Sequence, residues 1–316
     1  MPQTSKRDGT AHRPGSGCPA GEPSQSNGET GEAWVESLPA RILGIAEAWS
    51  LKVGTHFENL SYNYVAPART SSGDSAVLKL CMPDHDFLCE AEALRVFEGE
   101  GCASLLAVDR EAGAMLIERV EPGKEVHTLE DDVAETSAVA AVMRALQRPY
   151  SGLFPFPNAV EWINDALDPS AIPKLKQTHP WIEKALGRIA EIASEPYEEL
   201  LLHGDLHHGN VLSATRAPWL AIDPKGVIGD PAWELAPFLF NRLERYPHAD
   251  WPSIIRRRAD QFADELSLDR QRVYAWSAVR AIQSAWWSLR DEPSYDGPIY
   301  EGSIVCAMAL ADSTPG

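Results

Sequence analysis

The chain has 316 residues, enough to bury a substantial core and to form two lobes. Its formal charge of -18, from 28 Lys and Arg against 46 Asp and Glu, excludes the basic surface that nucleic acid or an anionic membrane demands and favours a cationic partner. No apolar run approaches the ~20 residues of a membrane span, no apolar signal segment opens the sequence, and the five cysteines form no Cys-x-x-Cys pair, so a cytoplasmic protein with reduced thiols is expected.

Residues 1–31 are rich in Gly, Pro, Ser and Thr with almost no apolar residues, and read as a disordered tail. Leu38, Ile42, Ile45, Ala46 and Trp49 recur at helical spacing, which predicts a helix over 34–49 with Pro39 in its first turn. Leu60-Ser61-Tyr62-Asn63-Tyr64-Val65 reads as strand, polar turn, strand. Ala76 to Leu80 is a strand whose Lys79 places an ammonium in an apolar run, and a buried ammonium needs a partner. The next helix, capped near Asp86 and stopped at Gly99, carries Glu90 on the inward face of Phe87, Ala91, Leu94 and Phe97; Glu92 is expected in solvent. Residues 104–109 and 114–120 form a hairpin, and Glu121-Pro122-Gly123 then breaks regular structure. Beyond it helices are expected over 131–148, 158–167, 180–193, 251–266 and 268–289, the last with Trp276, Trp286 and Trp287 as core residues.

Between these helices lies the most informative stretch, His203-Gly204-Asp205-Leu206-His207-His208-Gly209-Asn210 followed by Trp219-Leu220-Ala221-Ile222-Asp223-Pro224-Lys225-Gly226. Each half is a short apolar run ending near a carboxylate, the pattern of a buried strand that delivers an acid to its exposed end. Paired through a turn near residues 213–218, the two strands would aim Asp205, Asn210 and Asp223 at one small volume. Those residue types suit phosphoryl transfer from ATP: Asp205 as the base for an attacking hydroxyl, Asn210 and Asp223 as hard oxygen ligands for Mg²⁺. The spacing His203-x-Asp205-Leu206-x-x-x-Asn210 has the form of the protein-kinase catalytic loop, with Asp223 standing where the metal-binding Asp follows it.

His-Gly-Asp-Leu-His-x-x-Asn resembles the signature of the aminoglycoside phosphotransferase family, and Ala221-Ile222-Asp223-Pro224-Lys225-Gly226 resembles its streptomycin 6-phosphotransferase branch, the aminoglycoside/hydroxyurea resistance kinases. The resemblance runs from about Trp34 to the C-terminus. It implies an α+β, two-lobed protein-kinase-like fold, with a small antiparallel-sheet lobe over 32–120 that binds nucleotide and a larger helical lobe over 121–316 that carries catalysis and substrate. It further implies ATP and Mg²⁺ as cofactors and a small-molecule hydroxyl as acceptor, an aminoglycoside such as streptomycin first among them. Residue by residue, Lys79 would hold the α- and β-phosphates and pair with Glu90, and Ser61 and Asn63 would cover the phosphates where protein kinases use a glycine-rich loop. The backbone C=O of Glu118 and N–H of Val120 would pair with adenine. Two departures stand out: Gly204 replaces the catalytic-loop Arg of protein kinases, and Glu234 stands where the family commonly has Asp. Lys225 reads as an exposed lysine or a phosphate contact.

Two other readings remain open at this point. His203, Asp205, His207 and His208 crowd together as the ligands of a metal hydrolase do, but that reading leaves Asp223 and the N-terminal half without a role. A nucleotide-binding regulatory protein without turnover would have no need to keep Asp205. Kinases of other small metabolites would share every motif named here, and no residue pattern sets the oligomeric state.

Overall fold

The computed structural model describes residues 31–58, 63–166, 197–291 and 297–311. The tail before residue 31, Ser61 and the helix expected over 180–193 lie outside the described residues. The remainder is α+β: a five-stranded antiparallel sheet with two helices, followed by a predominantly helical region with two three-stranded sheets.

Helix α1 (Gly31–Ala48) leads into β1 (Lys52–Val53), and the sheet continues through β2 (Tyr64–Arg69), β3 (Ser75–Leu80), β4 (Leu105–Asp109) and β5 (Ala114–Glu118) in the order β1-β2-β3-β5-β4. β2 pairs on one side with Lys52–Val53, through Arg69 and Ala68, while the strand expected at Leu60 lies outside the described residues. Central β3 alternates toward two faces, as a strand buried on both sides must. One face packs Ala76, Leu78 and Leu80 against Trp34 and Ile45 of α1. On the other side, Met115 joins Phe87, Leu94 and Phe97 of α2 (His85–Phe97) in a cluster that continues without interruption into the helical region. Each such side chain contributes about 1.5–3 kcal/mol by leaving water, so the two lobes share one core through α2. The cap of α2 is Asp84, whose carboxylate accepts from the Phe87 N–H at 3.0 Å, and not Asp86; the helix closes at Glu98 in the left-handed region.

After β5 the chain passes through β6 (Pro122–Glu125) to α3 (Asp132–Leu146), β7 (Arg148–Pro149) and α4 (Ala159–Ala166). Asp131 caps α3 and Asn158 caps α4, each by accepting backbone N–H groups of the first turn. Next come β8 (Leu200–Leu202), β9 (Val211–Ala214), β10 (Trp219–Ala221) and β11 (Val227–Gly229). Here the structure corrects the expected pairing. β8 is sandwiched between β11 and β7, and β10 pairs with β9, so the two acid-delivering strands belong to different small sheets. Helices α5 (Ala236–Leu239), α6 (Trp251–Leu266), α7 (Arg270–Asp291) and α8 (Pro298–Ala311) complete the fold, with Trp276 and Trp287 buried in the core. Among the described residues no helix is long and apolar enough to cross a membrane, and Cys81, Cys89, Cys102 and Cys306 are buried free thiols.

Candidate active site

Although β8 and β10 do not pair, their ends are tied together by side-chain and backbone bonds. The His203 ring is fully buried; its Nε2–H donates to the Ile222 carbonyl (2.8 Å), and its Nδ1 accepts from the Asp205 N–H (3.3 Å). Burial pushes this imidazole down to about 4, so at neutral pH it is an uncharged brace between the two loops. The Ile222 N–H donates to the Asn210 carbonyl at 2.9 Å and the Lys225 N–H to the His203 carbonyl at 2.6 Å. Gly204 and Gly226 take φ of +87° and +70°, values that only glycine adopts without strain, where the two loops cross.

This bracing brings Asp205, Asn210 and Asp223 to one site. Asn210 spends its Nδ2 on the Asp205 carbonyl (2.9 Å), which leaves Oδ1 as the oxygen it can offer a cation. Asp223 has φ of 60°, a conformation uncommon outside glycine that Asp tolerates and that strained functional positions adopt. From across the sheet Lys79 reaches the same place. Its Nζ lies 2.7 Å from both carboxylate oxygens of Glu90 and hydrogen-bonds Asp223 Oδ1, while Lys225 Nζ sits 2.8 Å from Asp223 Oδ2. Burial opposes ionisation of Asp223, but the Lys225 and Lys79 ammonium groups together hold its carboxyl far below the usual range. The reverse holds for Lys79: burial works against its charge, and Asp223 and Glu90 keep it protonated.

Asn63 is half-buried at the start of β2, Glu118 ends β5, and Val120 lies half-buried between β5 and β6. Glu92 is not in solvent: it is buried, and hydrogen bonds from Arg95 (2.7 and 3.0 Å) hold its carboxyl below the ordinary range. Lys225 is likewise not the exposed lysine of the simplest sequence reading.

Two further residues take roles that the sequence did not assign them. Arg216, in the β9–β10 turn, donates to both Glu118 carboxylate oxygens (2.8 Å each) and to the Gly99 and Cys102 carbonyls (2.7 Å each). In the same turn Thr215 Oγ1 donates to the Glu121 carbonyl, and Ala221 bonds through its N–H and C=O to Gly101 and Ala103. The lobes are therefore stitched together by Thr215, Arg216 and Ala221, the last of them two residues before Asp223. Glu234, read as a departure of structural consequence, accepts the Gly204 N–H on both carboxylate oxygens (3.0 and 3.1 Å) from beneath the catalytic loop.

Burial raises the Glu234 carboxyl to about 8, against the pull of the Gly204 and His203 backbone groups and of Arg280. A carboxyl raised above its unfolded value binds its proton in the native state first, so its contribution is complete below about pH 4.5 and is lost as pH rises through about 8. We expect the thermal midpoint of the wild type to fall by several degrees relative to Glu234→Gln between pH 6 and pH 9. Parallel melting curves of the two proteins across that range measure this.

The histidine cluster does not assemble as a hydrolase site. His207 Nδ1 accepts from the Gly209 N–H (3.0 Å), His203 is occupied at both nitrogens, and His208 is buried face to face on Phe238 with its Nε2 3.4 Å from Glu135. Among the described residues, the grouping with ligand-like spacing is Asp132, Glu135 and His208. Arg245, Arg257 and Arg258 all ion-pair with Asp132, and Arg245 also pairs with Glu135, so the carboxylates are already neutralised. A buried cation would join a surplus of positive charge.

Residues 50–292 match the family described as aminoglycoside/hydroxyurea antibiotic resistance kinase. The chain is 33% identical over 296 residues to a streptomycin 6-kinase of Streptomyces griseus, covering 91% of this chain and 94% of that protein. It is 34% identical over 270 residues to a hydroxyurea phosphotransferase of Kitasatospora aureofaciens, covering 84% and 77%. In fold it is similar to an amicoumacin kinase solved with AMP-PNP and Ca²⁺, with a TM-score of 0.60 at 16% identity over 89% of this chain and 96% of that one.

Proposed function

Because the chain belongs to the aminoglycoside/hydroxyurea antibiotic resistance kinases and is a phosphotransferase with an alcohol group as acceptor, we propose that it transfers the γ-phosphate of ATP to a hydroxyl of streptomycin. In this reading residues 32–120 form the nucleotide lobe and 121–316 the catalytic and substrate lobe. The observation that carries it is the ion chain Glu90–Lys79–Asp223–Lys225, which crosses from the sheet to the catalytic loop beside Asp205.

Lys79, fixed by Glu90, would hold the α- and β-phosphates as a point charge. Asn63 and Ser61 would cover the phosphates, and the backbone of Glu118 and Val120 would pair with adenine. For Mg²⁺ the donor set fits: Asp223 offers a carboxylate held in its ionised form and Asn210 an amide oxygen, the hard ligands this cation takes while keeping several waters. A divalent cation there would draw charge off the phosphate oxygens. Asp205 would orient the acceptor hydroxyl and take its proton. Catalysis is then mainly positioning, which explains why so many of the buried polar groups brace loops.

The named relatives and the charge of -18, which suits a polycation, support this acceptor. With ATP and Mg²⁺, streptomycin should stimulate ADP release and gain one phosphoryl group by mass spectrometry, whereas neutral sugars and choline should not serve. Added salt should raise KM, because attraction between an acidic protein and a cation is screened over ~10 Å near 0.1 M. Streptomycin recovered unmodified while hydroxyurea or another small metabolite gains phosphate would keep the kinase and discard this acceptor.

A further inference from the structure

The sequence places Lys225 two residues after Asp223, and the structure gives its side chain an unusual route. Its backbone is pinned by the bond to the His203 carbonyl, and its stem passes over Gly204. A Cβ built at Gly204 would lie 3.1 Å from Lys225 Cβ and 3.0 Å from Val227 Cγ2. The residue that replaces the usual Arg of the catalytic loop is thus the residue that clears a path for Lys225. The path ends with the ammonium 2.8 Å from Asp223 Oδ2, in the combined field of Asp223 and Asp205.

Two ammonium groups meet on Asp223, but they are not equivalent. Lys79 is held by both oxygens of Glu90 and its side chain is 8% exposed; Lys225 has one carboxylate oxygen as partner and is 29% exposed, on the side of Asp205. A divalent cation held by Asp223 would compete with the Lys225 ammonium for that carboxylate. Like charges sharing one carboxylate repel, so the less restrained of the two ammonium groups would give way. On a flexible four-carbon stem anchored between Asp205 and Asp223, the anion within reach is then the group being transferred.

We propose that Lys225 is a catalytic residue of this phosphotransferase, hydrogen-bonding the phosphoryl group as it passes from nucleotide to acceptor. The assignment rests on the reading of Asp205 and Asp223 given above. In the step itself the acceptor oxygen bonds to the γ-phosphorus as the bridging oxygen–phosphorus bond to the β-phosphate breaks. ADP leaves with the electron pair, the hydroxyl proton goes to Asp205, and Lys225 keeps its protons throughout. Its contribution is a positive charge, supplied from within the chain, to oxygens whose charge shifts in the transition state.

The test is Lys225→Met, which keeps most of the stem and removes the charge, with Lys225→Arg beside it and melting curves to establish that both fold. By calorimetry with Mg²⁺, the preference of the wild type for AMP-PNP over ADP should fall about tenfold in Lys225→Met, because only AMP-PNP carries the third phosphoryl group. Mn²⁺ binding to the ADP complex, followed by electron paramagnetic resonance, should tighten a few-fold because a competitor for Asp223 is gone. kcat should drop about 10²-fold and recover in part in Lys225→Arg. Equal loss of both nucleotides, weakened Mn²⁺ binding, or unchanged kcat in an active enzyme would each overturn the assignment. If the wild type releases no ADP with any acceptor, it is the kinase reading that fails, and the AMP-PNP to ADP ratio still decides the place of Lys225.

Discussion

Asp205→Asn is expected to lower kcat by 10²- to 10⁴-fold, the range a positioned general base contributes, while ATP affinity and the thermal midpoint stay close to wild type. The substitution is nearly isosteric and the loop around it is held by groups it does not touch. The Asp205 N–H remains on His203, its carbonyl remains on Asn210 Nδ2, and Glu234 still holds Gly204. What is lost is an atom that can take a proton at a position 5% exposed, where water has poor access to replace it. His207 Nε2 lies 3.8 Å from Asp205 Oδ2, but its Nδ1 accepts the Gly209 N–H, which leaves the ring proton on Nε2 and no free lone pair there to replace the lost base. Steady-state ADP release and ATP binding on the same preparation test this, and a kcat within a few-fold of wild type would remove Asp205 from the mechanism.

The largest effect on stability is expected at Arg258. Its guanidinium is fully buried: one nitrogen donates to the carbonyls of Phe238, Leu239 and Asn241 at 2.9 Å each, and the others to Asp132 at 2.7 and 3.1 Å. It also stacks over Phe238, whose ring lies 3.9 Å from that of His208 in the catalytic loop. Burial lowers this guanidinium to about 10, so it stays charged at neutral pH only at a desolvation cost that its partners offset. Arg258→Ala leaves three carbonyls without their donor and takes one of three arginine partners from the half-buried Asp132, and should cost about 3–5 kcal/mol, or roughly ten degrees in Tm. Arg270→Ala is the control. That side chain is 51% exposed against Asp260 and Asp264, and its loss should cost less than about 1 kcal/mol. Denaturant unfolding of the two variants separates these values, and equal midpoints would show that the Arg258 network carries no net stability.

How far the site was legible in the sequence depends on how local each signal is. Lys79 and Glu90 could be found because one lysine interrupts an apolar strand and one glutamate shares a helix face with Phe87, Leu94 and Phe97. Asp205, Asn210 and Asp223 stood out because each closes or follows a short apolar run. Strand pairing was not legible: nothing in Leu200–Leu202 says that its neighbour is Val227–Gly229 and not Trp219–Ala221, since register is chosen by long-range packing. Asp84 and Asp86 both qualify as caps by residue type, and only backbone geometry selects Asp84. Arg216 and Arg258, and the bracing role of Glu234, were hidden for a common reason. Charged residues read as surface by default, and their burial becomes visible only when partners more than 15 residues away are brought to them.

The β9–β10 turn has a practical consequence for anyone altering this protein. A short, polar turn between two strands is where affinity tags, reporter domains and new termini are ordinarily inserted, because such tips tolerate change. Here Ser213, Thr215 and Arg216 face back onto Lys124, Glu121 and Glu118, so the tip clasps the segment between the two lobes. A graft at that turn would unfasten the segment proposed to hold adenine, and permissive insertion sites must be sought on edges that grip nothing.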